Sequence, residues 1–493
     1  MPFPLCCRRV SMPKNLRTAL AAAMVAALTG GLLAVTAEPS TAAPAKYTDD
    51  FNGDGYRDLA VSAAGAVVAG HDQAGALVIT YGSANGLESS KIQVVSQSSS
   101  GVPGASEDGD RFGAAAASAD FNNDGYADLA VGAPGEDTAE GGTGAVTVLW
   151  GSKAGLVGGT TLQLPHLANL TGFGAVLTSG DFDGDGAADD VAIGSGAGNS
   201  VFTYMGGSTK GSTLGGRTGF PATSLSYINS LAAGDVNGDG IDDIVVGGDN
   251  TGSRELFKQS VYLGPGELGQ AQYAGDAGHG QTAAVGDVDG DGYADIVTGH
   301  PFDQHSSMAG TTLGGNVSLT FGAAGGLDTS RPTATITQNT AGVPGASETN
   351  DNFGYAVSLG DINRDGMADL AVGAPYESID AQEATGSVTV IPGSAAGLAT
   401  TSAYAYNQGS PGVPGTSEGG DHFGEAVALT DTNADGKADL AVGAPGENNN
   451  DGAVWSLKGR TSGLTTTGAV SFGAATVGLS TSKWPEFGSR FTN

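Results

Sequence analysis

The stretch DFNNDGYADLAV, residues Asp120–Val131, indicates the architecture of the 493-residue chain because variants of it occur seven times. Each copy has acidic or amide residues at positions 1, 3 and 5, then a glycine, a further aspartate and a short apolar run. The copies begin at Asp50, Asp120, Asp181, Asp235, Asp287, Asp361 and Asp431, at intervals of 52 to 74 residues. Self-similarity at such a period predicts a repeat architecture with one supersecondary unit per repeat.

Each repeat also contains short apolar runs separated by glycine-rich turns, such as ADLAVGAP and GAVTVLWG after Asp120. Helical periodicity is nearly absent and glycine supplies 84 residues, so the sequence predicts an all-β chain. Four short strands with their turns fill one repeat. Seven repeats predict a seven-bladed β-propeller of four-stranded blades over residues 46–493. A sandwich or a solenoid is the alternative, but a solenoid needs shorter units and capping ends.

Residues 1–45 are predicted to be a secretory signal peptide. A basic stretch from Arg8 to Arg17 precedes the apolar, alanine-rich run Thr18–Val35, and Ala43-Pro44-Ala45 resembles a cleavage site. A membrane anchor is the alternative, although the apolar run barely reaches spanning length. Two arginines are adjacent at the start of the basic stretch. The sequence is therefore compatible with either a general or a twin-arginine export signal.

The composition of the chain excludes some partners. Residues 1–45 carry four basic residues and one acid, so their removal takes the net charge from −32 to −35. Nucleic acid is therefore not an expected partner. Disorder is also not expected, because 39% of the residues are hydrophobic and lie in regular runs. Both cysteines, Cys6 and Cys7, belong to the signal segment, and no later stretch is apolar enough to span a membrane.

The acidic segments have the spacing D-x-[DN]-x-D-G-x-x-D, which is typical of calcium loops. Positions 1, 3, 5 and 9 offer side-chain oxygens, and position 7 offers its main-chain carbonyl. Hard oxygen ligands on a tight turn suit Ca²⁺, and the glycine at position 6 permits the turn. The alternative is that Asp, Asn and Gly only form turns, but seven loops in register favour up to seven Ca²⁺ ions.

The third loop has one extra residue, so either Asp189 or Asp190 could fill its ninth position. With Asp189 taken there, the predicted metal ligands are Asp50, Asn52, Asp54, Tyr56, Asp58, Asp120, Asn122, Asp124, Tyr126, Asp128, Asp181, Asp183, Asp185, Ala187, Asp189, Asp235, Asn237, Asp239, Ile241, Asp243, Asp287, Asp289, Asp291, Tyr293, Asp295, Asp361, Asn363, Asp365, Met367, Asp369, Asp431, Asn433, Asp435, Lys437 and Asp439.

An EF-hand is the rival interpretation of these loops. It needs a glutamate at position 12 and two flanking helices. Position 12 holds Val61, Val131, Ala192, Val246, Thr298, Val372 and Val442. None of these side chains is a metal ligand, and each lies in a strand-like run. The sequence therefore predicts strand–loop–strand calcium sites.

Two further motifs flank the loops. Phe-Gly lies eight residues before four of them, at Phe112, Phe173, Phe353 and Phe423. Gly-Ala-Pro begins twelve residues after the start of three of them, at Gly132, Gly373 and Gly443. With the loops, these motifs resemble the FG-GAP repeat of the integrin α-subunit propeller and its bacterial relatives. The resemblance implies that Ca²⁺ binds on one face and that ligands and partner subunits meet the opposite face.

The chain also departs from that family pattern. Tyr227-Ile228 and His279-Gly280 replace Phe-Gly in the fourth and fifth units, and Ser62-Ala63-Ala64 replaces Gly-Ala-Pro in the first. The sequence shows no inserted domain, leg region or membrane span of the integrin kind. The resemblance therefore implies the head module alone.

An enzyme is not expected. Gly415-Thr416-Ser417-Glu418-Gly419 matches the hydrolase motif G-x-S-x-G, but the same connector recurs in other repeats without the second glycine. His300, Asp303 and His305 lie close in sequence and could bind a transition metal or a sugar. The expected interpretation of that cluster is a solvated loop.

The sequence therefore predicts a secreted, monomeric, calcium-stabilised binding or adhesion module for an extracellular protein or glycan. Its expected contact surface opposite the calcium loops is built from connectors starting at Gly135, Tyr376 and Gly446. One alternative is a lectin-like propeller that binds glycans between blades; another is a hydrolase-associated protein of the phospholipase type. Aromatic residues are only 6%, so the tryptophans Trp150, Trp455 and Trp484 are expected to pack between blades.

The last residues of the chain raise the question of ring closure. Phe487-Gly488 starts an eighth unit that stops at Asn493. The first loop lacks such a start, because eight residues before Asp50 lies Ala42, in the predicted signal peptide. The segment Phe487–Asn493 is therefore predicted to complete the first blade by pairing with the N-terminal segment. A frayed tail is the alternative.

Overall fold

A computed structural model describes residues 45–137, 143–163, 171–197, 199–207, 217–222, 225–249, 257–264, 271–304 and 308–492. Nearly all of the predicted signal peptide, residues 1–44, lies outside the described residues. The described part forms a ring of seven four-stranded antiparallel blades. It contains only one short helical turn, α1 (Glu447–Asn450), and one 3₁₀ turn at Thr400–Ser402. The predicted all-β, seven-bladed propeller is confirmed.

The strands follow the chain from blade to blade. Blades 1 to 4 contain β1 (Leu59–Ala63), β2 (Ala76–Thr80), β3 (Ile92–Val95), β4 (Ala115–Ala119), β5 (Asp128–Asp137), β6 (Thr143–Trp150), β7 (Val157–Thr161), β8 (Thr171–Gly180), β9 (Asp190–Ala197), β10 (Ser200–Tyr204), β11 (Arg217–Pro221), β12 (Tyr227–Gly234), β13 (Asp243–Asp249), β14 (Lys258–Leu263) and β15 (Gln272–His279). Blades 5 to 7 contain β16 (Thr282–Gly286), β17 (Asp295–His300), β18 (Asn316–Thr320), β19 (Gly322–Ala323), β20 (Gly326–Leu327), β21 (Ala334–Ile336), β22 (Ala356–Gly360), β23 (Asp369–Ala374), β24 (Ser387–Ile391), β25 (Tyr404–Tyr406), β26 (Ala426–Thr430), β27 (Asp439–Ala444), β28 (Ala453–Arg460) and β29 (Gly463–Gly473).

Within each blade the strands pair in chain order as a meander, apart from the two-stranded insertion β19-β20 in blade 5. The first strands of blades 2 to 7 contact the first strands of their neighbours, so they lie innermost, around the axis of the ring. In blade 7, β26 pairs with β27 from Ala426 opposite Gly443 to Thr430 opposite Asp439. Each calcium-loop segment therefore lies between an innermost strand and the next strand of the same blade.

The Phe-Gly and Gly-Ala-Pro motifs meet where neighbouring blades pack. The phenylalanines are buried in hydrophobic clusters between blades, as Phe423 is beside Val388 and Trp455. The first glycine of Gly-Ala-Pro touches the glycine of the next Phe-Gly pair. A Cβ built on Gly443 would lie 1.8 Å from the carbonyl oxygen of Gly488, so no other residue fits there. The two motifs thus allow close packing of consecutive blades.

The ring closes through the C-terminal segment. Ser62 N donates to Arg490 O at 2.9 Å, and Thr492 N donates to Ala60 O at 3.1 Å. Val61 and Phe491 form an antiparallel bridge. This segment is the innermost strand of blade 1, beside β1, so the predicted closure is confirmed and the alternative of a frayed tail is wrong. Closure gives β1 an inner neighbour, so blade 1 has four strands like the other blades.

Candidate functional site

The seven acidic loops have the same local geometry. In loop 1 the first carboxylate accepts hydrogen bonds from Asp54 N at 3.1 Å and Gly55 N at 2.8 Å. The position-6 amide makes the equivalent bond to the position-1 carboxylate in all seven loops, at 2.8 or 2.9 Å. The position-5 carboxylate accepts the position-7 amide in all seven loops, as Asp54 does. The position-3 oxygen accepts the position-5 amide in loops 1, 3, 4, 5 and 7, as Asn52 does. The predicted side-chain ligands at positions 1, 3 and 5 are thus brought onto one turn.

The ninth-position aspartate is buried beneath each loop. Asp58 is 1% exposed, and its two carboxylate oxygens accept hydrogen bonds from Phe51 N and Gly82 N, both at 2.9 Å. Burial, together with the nearby carboxylates of Asp50 and Asp54, raises the pKa of Asp58 to about 8. The two main-chain amides favour the anion of Asp58, and a nearby cation would stabilise it further.

In the third loop, Asp190 makes the ninth-position contacts. Its Oδ2 accepts a hydrogen bond from Phe182 N at 2.9 Å, and its Oδ1 accepts one from Gly206 N at 2.8 Å. Asp189 instead accepts a hydrogen bond from Asn123 Nδ2 of the second loop at 2.8 Å. Of the two residues that the sequence left open, the geometry favours Asp190 as the equivalent of Asp58, and Asp189 links two neighbouring loops.

The loop residues fit a hard divalent cation. Carboxylate oxygens of Asp181, Asp183 and Asp185 lie within 4.8 Å of one another, and a second such group is formed by loop 5. In loop 2 the buried Oδ1 of Asn122 has no hydrogen-bond partner. The donors are oxygens only, which are the ligands that Ca²⁺ takes in proteins. These residues could hold Ca²⁺.

Loop 5 receives a basic side chain from another segment of the chain, whereas in loop 7 the loop's own Lys437 lies 3.3 Å from Asp435. Arg331 Nη1 lies 2.6 Å from Asp289 Oδ2, and the Asp289 side chain is only 4% exposed. The guanidinium also lies over the ring of Phe321, 3.1 Å from its centroid. Part of the negative charge of this loop is therefore balanced by the protein itself, which lowers the charge available to a cation.

Consecutive loops are also joined through the main chain. Ala127 N of loop 2 donates to Asp50 O of loop 1 at 3.0 Å. The same bond, from position 8 to the position-1 carbonyl of the preceding loop, joins loops 5 and 6 through Ala368 and Asp287 at 2.8 Å. Loops 4 and 5, and loops 6 and 7, are joined in the same way. The loops thus form a connected rim on one face of the ring.

The opposite face carries the mouth of the central channel, a cavity of about 740 Å³. Its walls are the starts of the innermost strands, so it lies at the far end of these strands from the loops. Tyr355, Tyr376, His422, Trp484 and Arg490 are among the residues that line it. The rings of Tyr376 and His422 are 4.5 Å apart, and those of Tyr355 and Tyr376 are 6.5 Å apart. This set of residues is called the channel mouth below.

Two of the expected surface connectors reach the channel mouth. Tyr376 begins one of them, and Gly446 and Asn450 of another line the same cavity. The third connector, which starts at Gly135, lies partly outside the described residues, at 138–142. The sequence did not single out Tyr355 or Arg490, because only the closed ring brings their distant segments to the mouth.

The tryptophans were predicted correctly in two cases and wrongly in one. Trp150 and Trp455 are 4% and 2% exposed, as expected for packing between blades. Trp484 is 70% exposed, so its predicted burial is wrong. It lies in the turn that leads into the closing strand, where the chain crosses the channel mouth. An exposed tryptophan there is a candidate contact residue.

The motifs weighed as catalytic are structural in the described chain. Ser417 is followed by strand β26 and not by the helix that a hydrolase turn requires. His300 is 1% exposed and packs edge-on against Phe257 and Phe302, so the expected solvated loop is wrong for this residue. Both carboxylate oxygens of Asp303 accept main-chain amides. His305 lies outside the described residues.

Comparison with known proteins agrees with the geometry. The FG-GAP repeat model matches residues 48–79, 112–149, 279–319, 353–391 and 423–457, and the FG-GAP-like repeat model matches 181–246 and 235–298. All seven acidic loops fall within these matches. Among the described residues, no helix has the length and apolar character needed to cross a membrane.

Three relatives illustrate the similarity. Phosphatidylinositol-glycan-specific phospholipase D of Bos taurus is 35% identical over 193 residues, 37% of this chain and 21% of that protein. Integrin alpha-V of Gallus gallus is 32% identical over 235 residues, 46% of this chain and 20% of that protein. Integrin alpha pat-2 of Caenorhabditis briggsae is 31% identical over 240 residues, 41% of this chain and 18% of that protein. The chain thus matches about a fifth of each relative's length.

The motif contacts between blades, the repeated acidic loops and the two matching repeat models lead to one assignment. The glycines of the two motifs touch as close blade packing requires, and the matches extend from blade 1 to blade 7. The chain belongs to the FG-GAP repeat family, and its seven-bladed propeller is similar to that of integrin α-subunits.

Proposed function

We propose that this chain is an exported, non-enzymatic binding module that recognises an extracellular protein or glycan at the channel mouth. The observation that carries the proposal is the cavity of about 740 Å³ with its aromatic and charged rim. Trp484 is 70% exposed and Tyr376 is 36% exposed at this rim. Large exposed aromatic side chains around a concave site are typical of ligand contacts.

The charges of the channel mouth suit a polar ligand with an apolar part. Arg490 and Glu425 line the cavity together with the aromatic rings. Arg111 Nη2 and Glu486 Oε2 form an ion pair of 2.8 Å at the same mouth. Aromatic faces bind apolar surfaces, and the charged groups orient the polar parts of a ligand. The similarity to integrin α-subunits supports this location, since in that family ligands meet the face opposite the calcium loops.

We also assign Ca²⁺ to the acidic loops, up to seven ions per chain. The ligands are the side chains at positions 1, 3, 5 and 9 and the carbonyl at position 7, with Asp190 in the ninth position of the third loop. The cation would balance the clustered carboxylates and hold the loop rim, at the opposite end of the innermost strands from the channel mouth. Its role there is to stabilise the fold.

An array experiment tests the binding function. Extracellular proteins and glycans are screened with the full chain in about 1 mM Ca²⁺ and again in chelator, at an ion concentration typical of extracellular sites. The best ligand is then titrated against Trp484→Ala and Tyr376→Ala. The control is Tyr273→Ala, an aromatic residue that is 53% exposed on the outer strand β15.

We expect the two mouth variants to bind at least about tenfold more weakly, a loss of about 1.4 kcal/mol, and the control to bind as the parent does. A ligand that binds equally to the parent and to both mouth variants would contradict the site. Glycan ligands alone would favour the lectin-like alternative.

A hydrolase role is the second candidate, because phosphatidylinositol-glycan-specific phospholipase D is among the relatives. The alignment covers only 21% of that enzyme, so the similarity does not carry its activity over. A screen of the full chain against ester and phosphodiester substrates separates the two functions. We expect no turnover above a heat-denatured control; turnover that survives repurification would contradict the non-enzymatic assignment.

A further inference from the structure

Three connectors carry the same buried trio of side chains, which the calcium loops do not include. Each trio has a glutamine after the outer strand of one blade, an aspartate two residues before the next Phe-Gly pair, and a glutamate after the Gly-Ala-Pro that follows. The glutamine precedes the glutamate by 39 residues in every case. The trios are Gln97, Asp110 and Glu136; Gln338, Asp351 and Glu377; and Gln408, Asp421 and Glu447.

The three trios are named after blades 2, 6 and 7, in the order given above. The contacts are described first for the blade 7 trio, Gln408, Asp421 and Glu447. Gln408 Nε2 lies 2.5 Å from Glu447 Oε2, and the same amide contacts the Asp421 carboxylate. Asp421 Oδ2 accepts a hydrogen bond from Glu418 N at 2.7 Å. Gln408 is 2% exposed and Asp421 is 3% exposed. In the blade 2 trio, Gln97 Nε2 lies 2.5 Å from Glu136 Oε2. In the blade 6 trio, Gln338 Nε2 donates to Glu377 Oε2.

Each trio contains an oxygen that lacks a partner. The Oε1 atoms of Gln97, Gln338 and Gln408 are buried and accept no hydrogen bond. In the described part of the chain, no lysine or arginine forms an ion pair with any of the six trio carboxylates. Buried charges are normally paired or bound to a metal. The trio therefore lacks a positive partner as well as a donor to the amide oxygen.

The orientation of the amide decides what the trio can bind. The nitrogen and oxygen of a glutamine side chain have nearly the same size and are assigned from their neighbours. Rotation of the Gln408 amide by a half-turn places Oε1 against Glu447 and Asp421. Three side-chain oxygens would then converge from three segments of the chain. Such a convergence is stable only with a positive species between the oxygens.

We propose that each trio binds one divalent cation of the calcium class, in addition to the ions in the seven loops. The two carboxylates supply two negative charges, which one divalent ion neutralises. All donors are oxygens and the glutamine and aspartate are buried, whereas Mg²⁺ usually retains several waters. In blade 7 the site lies at the start of β26 and the calcium loop at its end, about 17 Å apart for five residues of strand.

The location has a consequence for the channel mouth. Tyr376 directly precedes Glu377, and His422 directly follows Asp421. The Tyr376 and His422 rings, 4.5 Å apart, line the mouth cavity. Cations in the trios of blades 6 and 7 would fix the backbone on both sides of this aromatic pair. This consequence rests on the proposed binding function, whereas the cation sites themselves do not.

A shared proton is the competing account. Burial and the neighbouring carboxylate of Asp421 raise the pKa of Glu447 to about 7. A protonated Glu447 could donate to the rotated Gln408 Oε1, and no metal would then be needed. The two accounts differ in whether scattering from a metal is found between the three side chains. They are distinguished above pH 7, where a shared proton is lost and a cation site is filled.

The first test is anomalous diffraction at long wavelength from crystals of the full chain, grown at pH 8 with Ca²⁺ alone. We expect a calcium peak between the glutamine, aspartate and glutamate of each trio. Peaks in the loops without peaks in the trios would overturn the proposal. This measurement uses the unaltered protein, so it does not depend on whether a variant folds.

The second test is calcium content by elemental analysis of gel-filtered chain at the same pH. Glu447→Gln is expected to lower the content by one ion per chain. The control Glu383→Gln removes the same charge from an exposed residue of the blade 6 connector and should change nothing. A folded Glu447→Gln with the parent content would overturn the proposal. Failure of the mouth variant Trp484→Ala to lose ligand would leave this count unaffected, so the two proposals fail separately.

Discussion

The innermost strand of blade 7, β26, has an acidic site at each end, and the two sites are assembled in different ways. After its last residue, the loop Asp431–Asp439 places every predicted ligand within nine consecutive residues. Before its first residue, Gln408, Asp421 and Glu447 come from three separate segments. The loop is exposed at its tip, residues 434–436, whereas Gln408 and Asp421 are both buried. The comparison separates a site that local sequence specifies from one that only packing assembles.

The physical reason is the source of order in each site. In the loop, side-chain oxygens accept amides two to five residues ahead, so the turn forms from short-range hydrogen bonds. In the trio, Trp455 Nε1 donates to Pro414 O at 2.8 Å and thereby holds the connector against the blade. The trio therefore exists only once two blades have packed. Four predictions test this difference, beginning with the change that should affect stability most.

Removal of Ca²⁺ is expected to have the largest effect, because it acts on all the loops together. At about 1 mM Ca²⁺ and a Kd of about 0.1 mM, each site contributes about 1.4 kcal/mol. The melting temperature should therefore fall by many degrees in excess chelator, as measured by calorimetry. Replacement of Ca²⁺ by Mg²⁺ at the same concentration should restore only a small part of the lost melting temperature. An identical melting curve with and without chelator would show that the loops are turns only.

Replacement of Phe487 by alanine tests the packing between the closing segment, blade 1 and blade 7. Phe487 is fully buried and packs with Val61 and Phe472 where the last blade meets the first. The cavity should cost about 3–5 kcal/mol of unfolding free energy, measured by denaturant titration. Trp484→Ala, three residues earlier and exposed, should stay within about 0.5 kcal/mol of the parent. Equal midpoints for the two variants would contradict the closure as a source of stability.

A matched pair in the third loop tests which aspartate is the buried one. Asp190→Asn should lose about 1–3 kcal/mol, because its carboxylate accepts the amides of Phe182 and Gly206. It should also lower the calcium content by one ion. Asp189→Asn should be milder, since its carboxylate contacts the Asn123 side chain and the Gly207 amide and not the two amides beneath the loop. Urea midpoints and calcium contents of both variants test this assignment. A larger loss of stability for Asp189→Asn than for Asp190→Asn would reverse it.

Removal of one exposed ligand is expected to have the smallest effect. Asp365→Ala should remove one ion and about 1.4 kcal/mol at about 1 mM Ca²⁺, while the blade remains folded. Met367→Ala, at position 7 of the same loop, should keep the ion because this position offers only its carbonyl. Calcium content and melting temperature of the two variants check this. Loss of the ion in both variants would mean that the loop is held by packing of position 7 and not by the spacing of acids.

Most of the loop geometry was predictable because it is local. The recurrence of Asp, Asn and Gly at fixed positions predicted the turn, the strands on either side and their number. The one ambiguous ligand, Asp189 or Asp190, arose where an extra residue broke the spacing. The burial of Asp190 depends on Gly206, in the next hairpin of the blade, and no local pattern shows that contact.

The errors of prediction have a common physical cause. Trp484 was expected to pack between blades because aromatic residues are few, yet it is exposed in the segment that leads to the closing strand. His300 was expected on a solvated loop, yet it ends β17 and packs against Phe257 and Phe302. In both cases the residue type was known and the environment was not. Environment follows from which distant segments the ring brings together.

The sequence was sufficient to infer the repeat, the number of blades, the acidic turns and the need for the C-terminal segment to complete blade 1. These follow from spacing along the chain, because hairpins and turns form between residues that are close in sequence. The folded chain was needed to find the channel mouth, the choice of Asp190 and the three buried trios. Their members lie far apart in the chain, and closure of seven blades into a ring is what brings them within contact distance.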